Sequence, residues 1–138
     1  MITDQKHNFW SITIKSVISM IFLLSTIGKL ASITETSRSL SELFYVNPDS
    51  AQILVLAIAL FEVSIILTIW LKPHRLLIAV PVLFFAITAY SQVRNLDCGC
   101  FGELPFFSQF PLWGHYLLLT GMLIGFLFLT QNKEGRFN

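Results

Sequence analysis

Residues 51–71 read AQILVLAIALFEVSIILTIWL, an apolar run interrupted by one charge, Glu62. A helix of about 20 apolar residues crosses the hydrocarbon core of a bilayer. Lipid offers no partner to backbone N–H and C=O groups, so such a run spans as a helix. The residues just before it, Asn47-Pro48-Asp49, form a helix start: a capping side chain, a proline at the first helical position and an early acid. The reading is a transmembrane helix over about 51–71.

Three more segments are long and apolar enough to do the same, at about 10–30, 76–93 and 111–130. Pro81 stands inside the third and predicts a kink there. The first is long for a signal peptide, and no small-x-small cleavage site follows it, so it is read as a spanning helix. Hydrophobic residues make up 54% of the 138-residue chain and charged residues 12%. The mean hydropathy is +0.70. A soluble domain is about a quarter charged, so lipid is the solvent for much of this surface. No repeat or linker divides the chain. The predicted fold class is an all-α membrane protein, a four-transmembrane-helix bundle in a single domain over 1–138. Net charge is +1, with no basic stripe and no P-loop or dinucleotide glycine pattern, so nucleic acid is not an expected partner.

The loops set the orientation. Lys6, Lys72, Arg75, Lys133 and Arg136 share the side of the two termini, and Lys15 can snorkel to it. The other side has Arg38 and Arg94, with Lys29 at the end of the first segment. The positive-inside rule places both termini in the cytoplasm. In the outer loop, Ser32-Ile33-Thr34-Glu35 fits a capping box, and Leu40, Leu43 and Phe44 recur at helical spacing with Ile33 roughly in phase. A short amphipathic helix in the first outer loop is expected. Gly114, Gly121 and Gly125 share one face of the fourth helix, and Gly121-x-x-x-Gly125 suits close helix packing within the bundle. Trp10, Trp70 and Trp113 lie near segment ends, as in an ordinary aromatic belt.

Both cysteines of the chain fall in Cys98-Gly99-Cys100, after the third segment. On the predicted topology the pair faces outward, into a compartment where disulfides persist. In a straight strand the two Cα atoms would be about 6.4–6.8 Å apart, wider than the roughly 5.5–6 Å that a disulfide prefers. Closure needs a turn, which Gly99 permits. So small a ring is strained, and closing it removes little chain entropy. Strained, exposed disulfides suit exchange rather than structure. The readings left open beside a redox pair are soft-metal ligands and inert thiols. A metal would need further ligands from residues such as Asp97 or His115, at a spacing that matches no zinc motif, so no metal site is assigned.

Other residues carry chemistry or support it. Glu62 is expensive at mid-bilayer unless paired, protonated or functional. Lys29 is its natural partner; a role in the redox site and a neutral, hydrogen-bonded acid are the alternatives. Arg94 can favour a thiolate at Cys98 or anchor the helix among headgroups. His115 can relay a proton or merely sit in the headgroup zone.

Taken together, Gly28-Lys29, Glu62 and Cys98-Gly99-Cys100-Phe101-Gly102 resemble the methylamine utilisation protein MauE family, within the wider DoxX-like group of small membrane proteins. The resemblance covers nearly the whole chain, and its specific part is the Cys-Gly-Cys-Phe-Gly block. It implies a multi-pass protein of the bacterial inner membrane. It also implies a role in maturing an exported, disulfide-rich client beside an exported thioredoxin-like partner. In the namesake system that client is the beta subunit of methylamine dehydrogenase.

One thiol pair cannot carry electrons across the bilayer by exchange alone. Either another protein on the same side resets it, or a membrane quinone does. Phe84, Phe85, Phe101, Phe106, Phe107, Phe110 and Tyr116 are the aromatic residues available to line a quinone site. The competing classes are a non-catalytic assembly scaffold, a soft-metal-binding protein and a small transporter. The last is weakly supported, because no segment has the paired breaks of a discontinuous helix.

Overall fold

The computed structural model describes residues 2–72, 74–94 and 112–134. Its elements are α1 (Ile2–Ala31), α2 (Ile33–Phe44), α3 (Pro48–Leu71), a 3₁₀ turn (Arg75–Ile78), α4 (Ala79–Val93) and α5 (Leu112–Glu134). There is no strand among the described residues. Among the described residues four stretches are long and apolar enough to cross a membrane: Phe9–Ala31, Pro48–Leu71, Arg75–Val93 and Trp113–Gln131. The family of residues 98–102, with Asp97, Phe106, Phe107 and Phe110, lies outside the described residues.

α1 and α3 run antiparallel in close contact. Lys29 meets Glu62, and ten residues earlier on α1 Ser19 accepts a 3.0 Å hydrogen bond from Trp70 Nε1. The buried face of α3 is Ala51, Val55, Ala59, Glu62, Ile65 and Ile69, a stripe at three- and four-residue steps. Its other faces, with Ile53, Leu60 and Leu67, are exposed. Apolar side chains thus point toward lipid, while the one charge points inward.

The buried side chains form two apolar clusters. The larger joins Ile18 and Phe22 of α1, Ile65 and Ile69 of α3, Phe84 of α4 and Phe126 of α5, among others. Phe22 and Phe84 meet with ring centroids 6.3 Å apart. The smaller joins Leu40 of α2 to Ala51 and Val55 of α3. The cluster around Phe22 fills the half of the bundle nearer the termini. The one around Leu40 lies at the opposite, α2 end. Lys29 and Glu62 fall between them along their helices.

Three local features differ from the sequence expectation. Pro81 does not kink a long helix. The chain rises through a 3₁₀ turn and enters α-geometry at Ala79, which puts Pro81 in the first turn of α4. N–H groups there have no intrahelical partner, so the missing donor costs little. The capping box at Ser32 does not form either. Ser32 makes no side-chain cap; its hydroxyl donates to the Gly28 carbonyl at 2.8 Å. Only one residue separates α1 from α2, so the nearest open groups are the end carbonyls of α1. Finally, of Gly121 and Gly125 only the second packs closely. A Cβ there would meet Ile18 at 3.0 Å and Ile14 at 3.3 Å, whereas one on Gly121 would meet nothing within 4 Å.

α2 packs on α3 through Leu40, buries Leu43 and leaves Glu35, Arg38 and Glu42 exposed. It ends at Tyr45, whose φ of 55° is the left-handed conformation usually filled by glycine. The Ser41 hydroxyl secures this turn by donating to the Val46 carbonyl at 2.6 Å. Asn47 then leads into α3, with Pro48 at its first position.

Candidate functional site

Two groups of polar side chains stand out, one between the two apolar clusters and one at the end of α4. The first is buried between α1 and α3. Ser25, Thr26 and Lys29 share one face of α1, because steps of three and four residues return to the same side of a helix. Glu62 faces them from the buried stripe of α3. Lys29 Nζ lies 2.7 Å from Glu62 Oε1, and the two side chains are 2% and 1% exposed. Lys29 also donates to Ser25 Oγ. Ser25 Oγ in turn donates to Glu62 Oε1 at 2.9 Å, and Thr26 Oγ1 donates to Glu62 Oε2 at 2.9 Å. Both carboxylate oxygens therefore have donors and the cation has its acid, the condition under which a buried charge pair is tolerated. Lys29 and Glu62 were candidates from sequence. Ser25 and Thr26 were not, although a serine four residues before a membrane lysine lies on its face.

The second group lies where α4 ends. Arg94 follows the last residue of α4. Its guanidinium sits 4.7 Å from the ring centroid of Tyr45 and 5.9 Å from that of Tyr90. It also donates to Tyr90 Oη at 3.3 Å. No carboxylate among the described residues pairs with it. The same two tyrosines, with Leu43, Phe44, Ala86 and Ile87, line an open groove of about 390 Å³ between the end of α2 and α4. Tyr45 and Tyr90 were not singled out by the sequence. Tyr90 could have been, being one helical turn before Arg94. The Tyr45 contact crosses from another helix and left no local signal.

A third contact joins α4 to α5. Tyr116 donates to Gln92 Oε1 at 2.8 Å and packs on Phe85 with centroids 4.9 Å apart. The Gln92 Nε2 atom is buried and meets no acceptor. His115 is half-buried beside Tyr116. Of the aromatic residues considered for a quinone site, Phe84 is taken up in the apolar core, whereas Phe85 and Tyr116 stay at the α4–α5 seam. The catalytic candidates Cys98 and Cys100, with Gly99, Phe101 and Gly102, fall in the connection from α4 to α5 and outside the described residues. Its two ends carry Gln92 and Arg94 on one side and His115 and Tyr116 on the other.

At the termini end the side chains are ordinary for a membrane boundary. Lys15 Nζ lies 6.0 Å from the Trp70 ring centroid, and Trp10 and Trp70 are exposed.

Among curated proteins and among solved structures, nothing matches the chain significantly. The family model for methylamine utilisation protein MauE does match, over residues 7–130. That span runs through all four candidate membrane crossings, and the chain belongs to the MauE family.

Proposed function

We propose that this protein is a membrane thiol–disulfide redox factor. Its Cys98–Cys100 pair, facing the outside of the bacterial inner membrane, oxidises an exported thioredoxin-like partner. That partner then serves the maturation of a disulfide-containing client. In the exchange, a partner thiolate attacks the Cys98–Cys100 disulfide and forms a mixed disulfide. A second partner thiol resolves it. The partner leaves oxidised, and Cys98 and Cys100 are left as thiols. The observation that carries the reading is the placement of both cysteines, one glycine apart, in the connection between two membrane helices. Family membership supports it and suggests methylamine utilisation as the setting. The excess of Lys and Arg around the termini and the α3–α4 connection supports the outward orientation.

The test is trapping. Cys98→Ser and Cys100→Ser strains are run on non-reducing gels. One of them should accumulate a mixed disulfide with an exported protein: in the reverse direction of the exchange its single thiolate attacks the oxidised partner, and the second cysteine that would resolve the product is gone. The trapping variant identifies the remaining cysteine as the attacking one, and Cys98, four residues after Arg94 in the sequence, is the expected residue. A wild-type pair that stays reduced with a stoichiometric metal bound, and no trapped partner, would replace exchange with metal binding.

A further inference from the structure

We propose that an anionic phospholipid docks between the end of α2 and α4. Its phosphate meets Arg94, Tyr45 and Tyr90, and an acyl chain lies in the apolar groove. One wall of that groove is Leu43, Phe44 and Tyr45; the other is Ala86, Ile87 and Tyr90. Arg94 is not part of either wall. Its guanidinium rests on two residues that are, 4.7 Å from the Tyr45 ring centroid and 5.9 Å from that of Tyr90. A ligand with a charged head and an apolar tail can use both surfaces at once. Nothing in this site depends on the thiols.

The depth fits a lipid. Arg94 is the first residue after the membrane crossing Arg75–Val93, which sets it at headgroup level. On the same helix Tyr90 precedes it by four residues and Ala86 by eight. At 1.5 Å per residue they lie about 6 and 12 Å deeper. Half of a hydrocarbon core is about 15 Å, so the α4 wall runs at the level of the acyl chains. Phe44, Ala86 and Tyr90 are exposed, so the groove opens outward and not into the bundle core.

The chemistry of the polar cluster selects an anion. A guanidinium has five N–H donors and no acceptor. One N–H goes to Tyr90 Oη at 3.3 Å, and no carboxylate among the described residues takes another. Tyr90 Oη accepts that bond and keeps its own proton to donate. The Tyr45 hydroxyl meets no acceptor among the described residues. Donors from two elements thus stand together with no acid between them. A phosphodiester is their complement, a negative charge with acceptor oxygens only, and arginine is the side chain suited to it. Tyr45 holds a left-handed backbone, φ 55°, where glycine is usual. A glycine there would lack the ring that both walls the groove and carries the cation. An ethanolamine headgroup would bring its own ammonium beside Arg94. A glycerol headgroup brings none, so phosphatidylglycerol is the expected lipid.

The experiment titrates the full chain in detergent with dioleoylphosphatidylglycerol or dioleoylphosphatidylethanolamine and reads retained lipid by native mass spectrometry. Wild type should show one distinct phosphatidylglycerol site and hold the ethanolamine lipid about tenfold more weakly. Arg94→Gln should weaken phosphatidylglycerol about tenfold or more, the worth of a charged hydrogen bond, and erase the preference. The Tyr45→Phe, Tyr90→Phe double variant keeps both rings and should weaken it severalfold. Ala86→Trp, at an exposed position in the groove wall, should displace the lipid while the thermal transition stays in place. Glycerophosphoglycerol, the same headgroup without chains, should not compete, which separates a lipid from a free phosphate and tests the groove without a variant. The proposal is overturned by equal retention of the two lipids or by many lipids bound without a distinct first site. It is equally overturned by affinity unchanged in Arg94→Gln and the tyrosine pair, by competition from the chainless headgroup, or by a neutral lipid or a second copy of the chain held in place of phosphatidylglycerol.

Discussion

Lys29 and Arg94 stand in opposite surroundings. Lys29 is enclosed between two helices and meets an acid and a hydroxyl. Arg94 lies at the end of α4 against two tyrosine rings, with no acid among the described residues. The first arrangement satisfies a charge internally and leaves it nothing to offer a ligand. The second sets a charge against two aromatic rings, with no acid from the described residues beside it.

The largest test of this contrast is to break the enclosed pair. Glu62→Leu leaves a buried ammonium without its acid and should cost about 3–5 kcal/mol, read from denaturant unfolding in detergent. The Lys29→Met, Glu62→Leu double variant should recover most of that. If its loss is instead the sum of the two singles, the pair is not a coupled unit. Next in size is Thr26→Val, which keeps shape but removes the donor to Glu62 Oε2; a loss of about 1.5–3 kcal/mol is expected in the same assay.

At the other site the effects on stability should be small. Arg94→Gln removes cation–π contacts at the end of α4 and should lower stability by no more than about 1 kcal/mol in the same assay. A large loss would mean that Arg94 is structural after all, and the contrast with Lys29 would collapse. The smallest effect belongs to Tyr45→Gly. Relief of the left-handed backbone, about 1–2 kcal/mol, is offset by the lost ring contact and by the wider freedom of glycine when unfolded. The midpoint should barely move in the same assay.

The spanning helices were legible because a long apolar run in lipid has one solution. The Lys29–Glu62 contact was legible for a related reason: a lone carboxylate in a membrane helix has to find a partner. What escaped was set by neighbours in space. The donors on Ser25 and Thr26 matter only once α3 is known to lie against α1. Arg94 meets Tyr45 only because α2 ends beside α4. Ser32 shows a local rule overtaken by its surroundings, since its hydroxyl had a nearer acceptor than the cap it was expected to make. Pro81 shows a rule applied in the wrong place: the kink was expected from a helix interior, and the proline stands in a first turn.

The enclosed pair also bears on how the chain enters the membrane. A translocon samples helices roughly one at a time, and an ionisable side chain near the middle of a helix adds about 2.5–3.5 kcal/mol to the insertion free energy. The other residues of α3 are apolar enough to outweigh Glu62, so α3 can partition into lipid alone. It is not at rest there until its carboxylate meets α1. Lys29, near the end of α1, can wait in the headgroups until α3 arrives. The first two spans should therefore leave the translocon as a hairpin, with the later pair added against an already closed surface. A chain whose Glu62 lacked its lysine would expose to the membrane's quality-control proteases the polar mark they are built to detect.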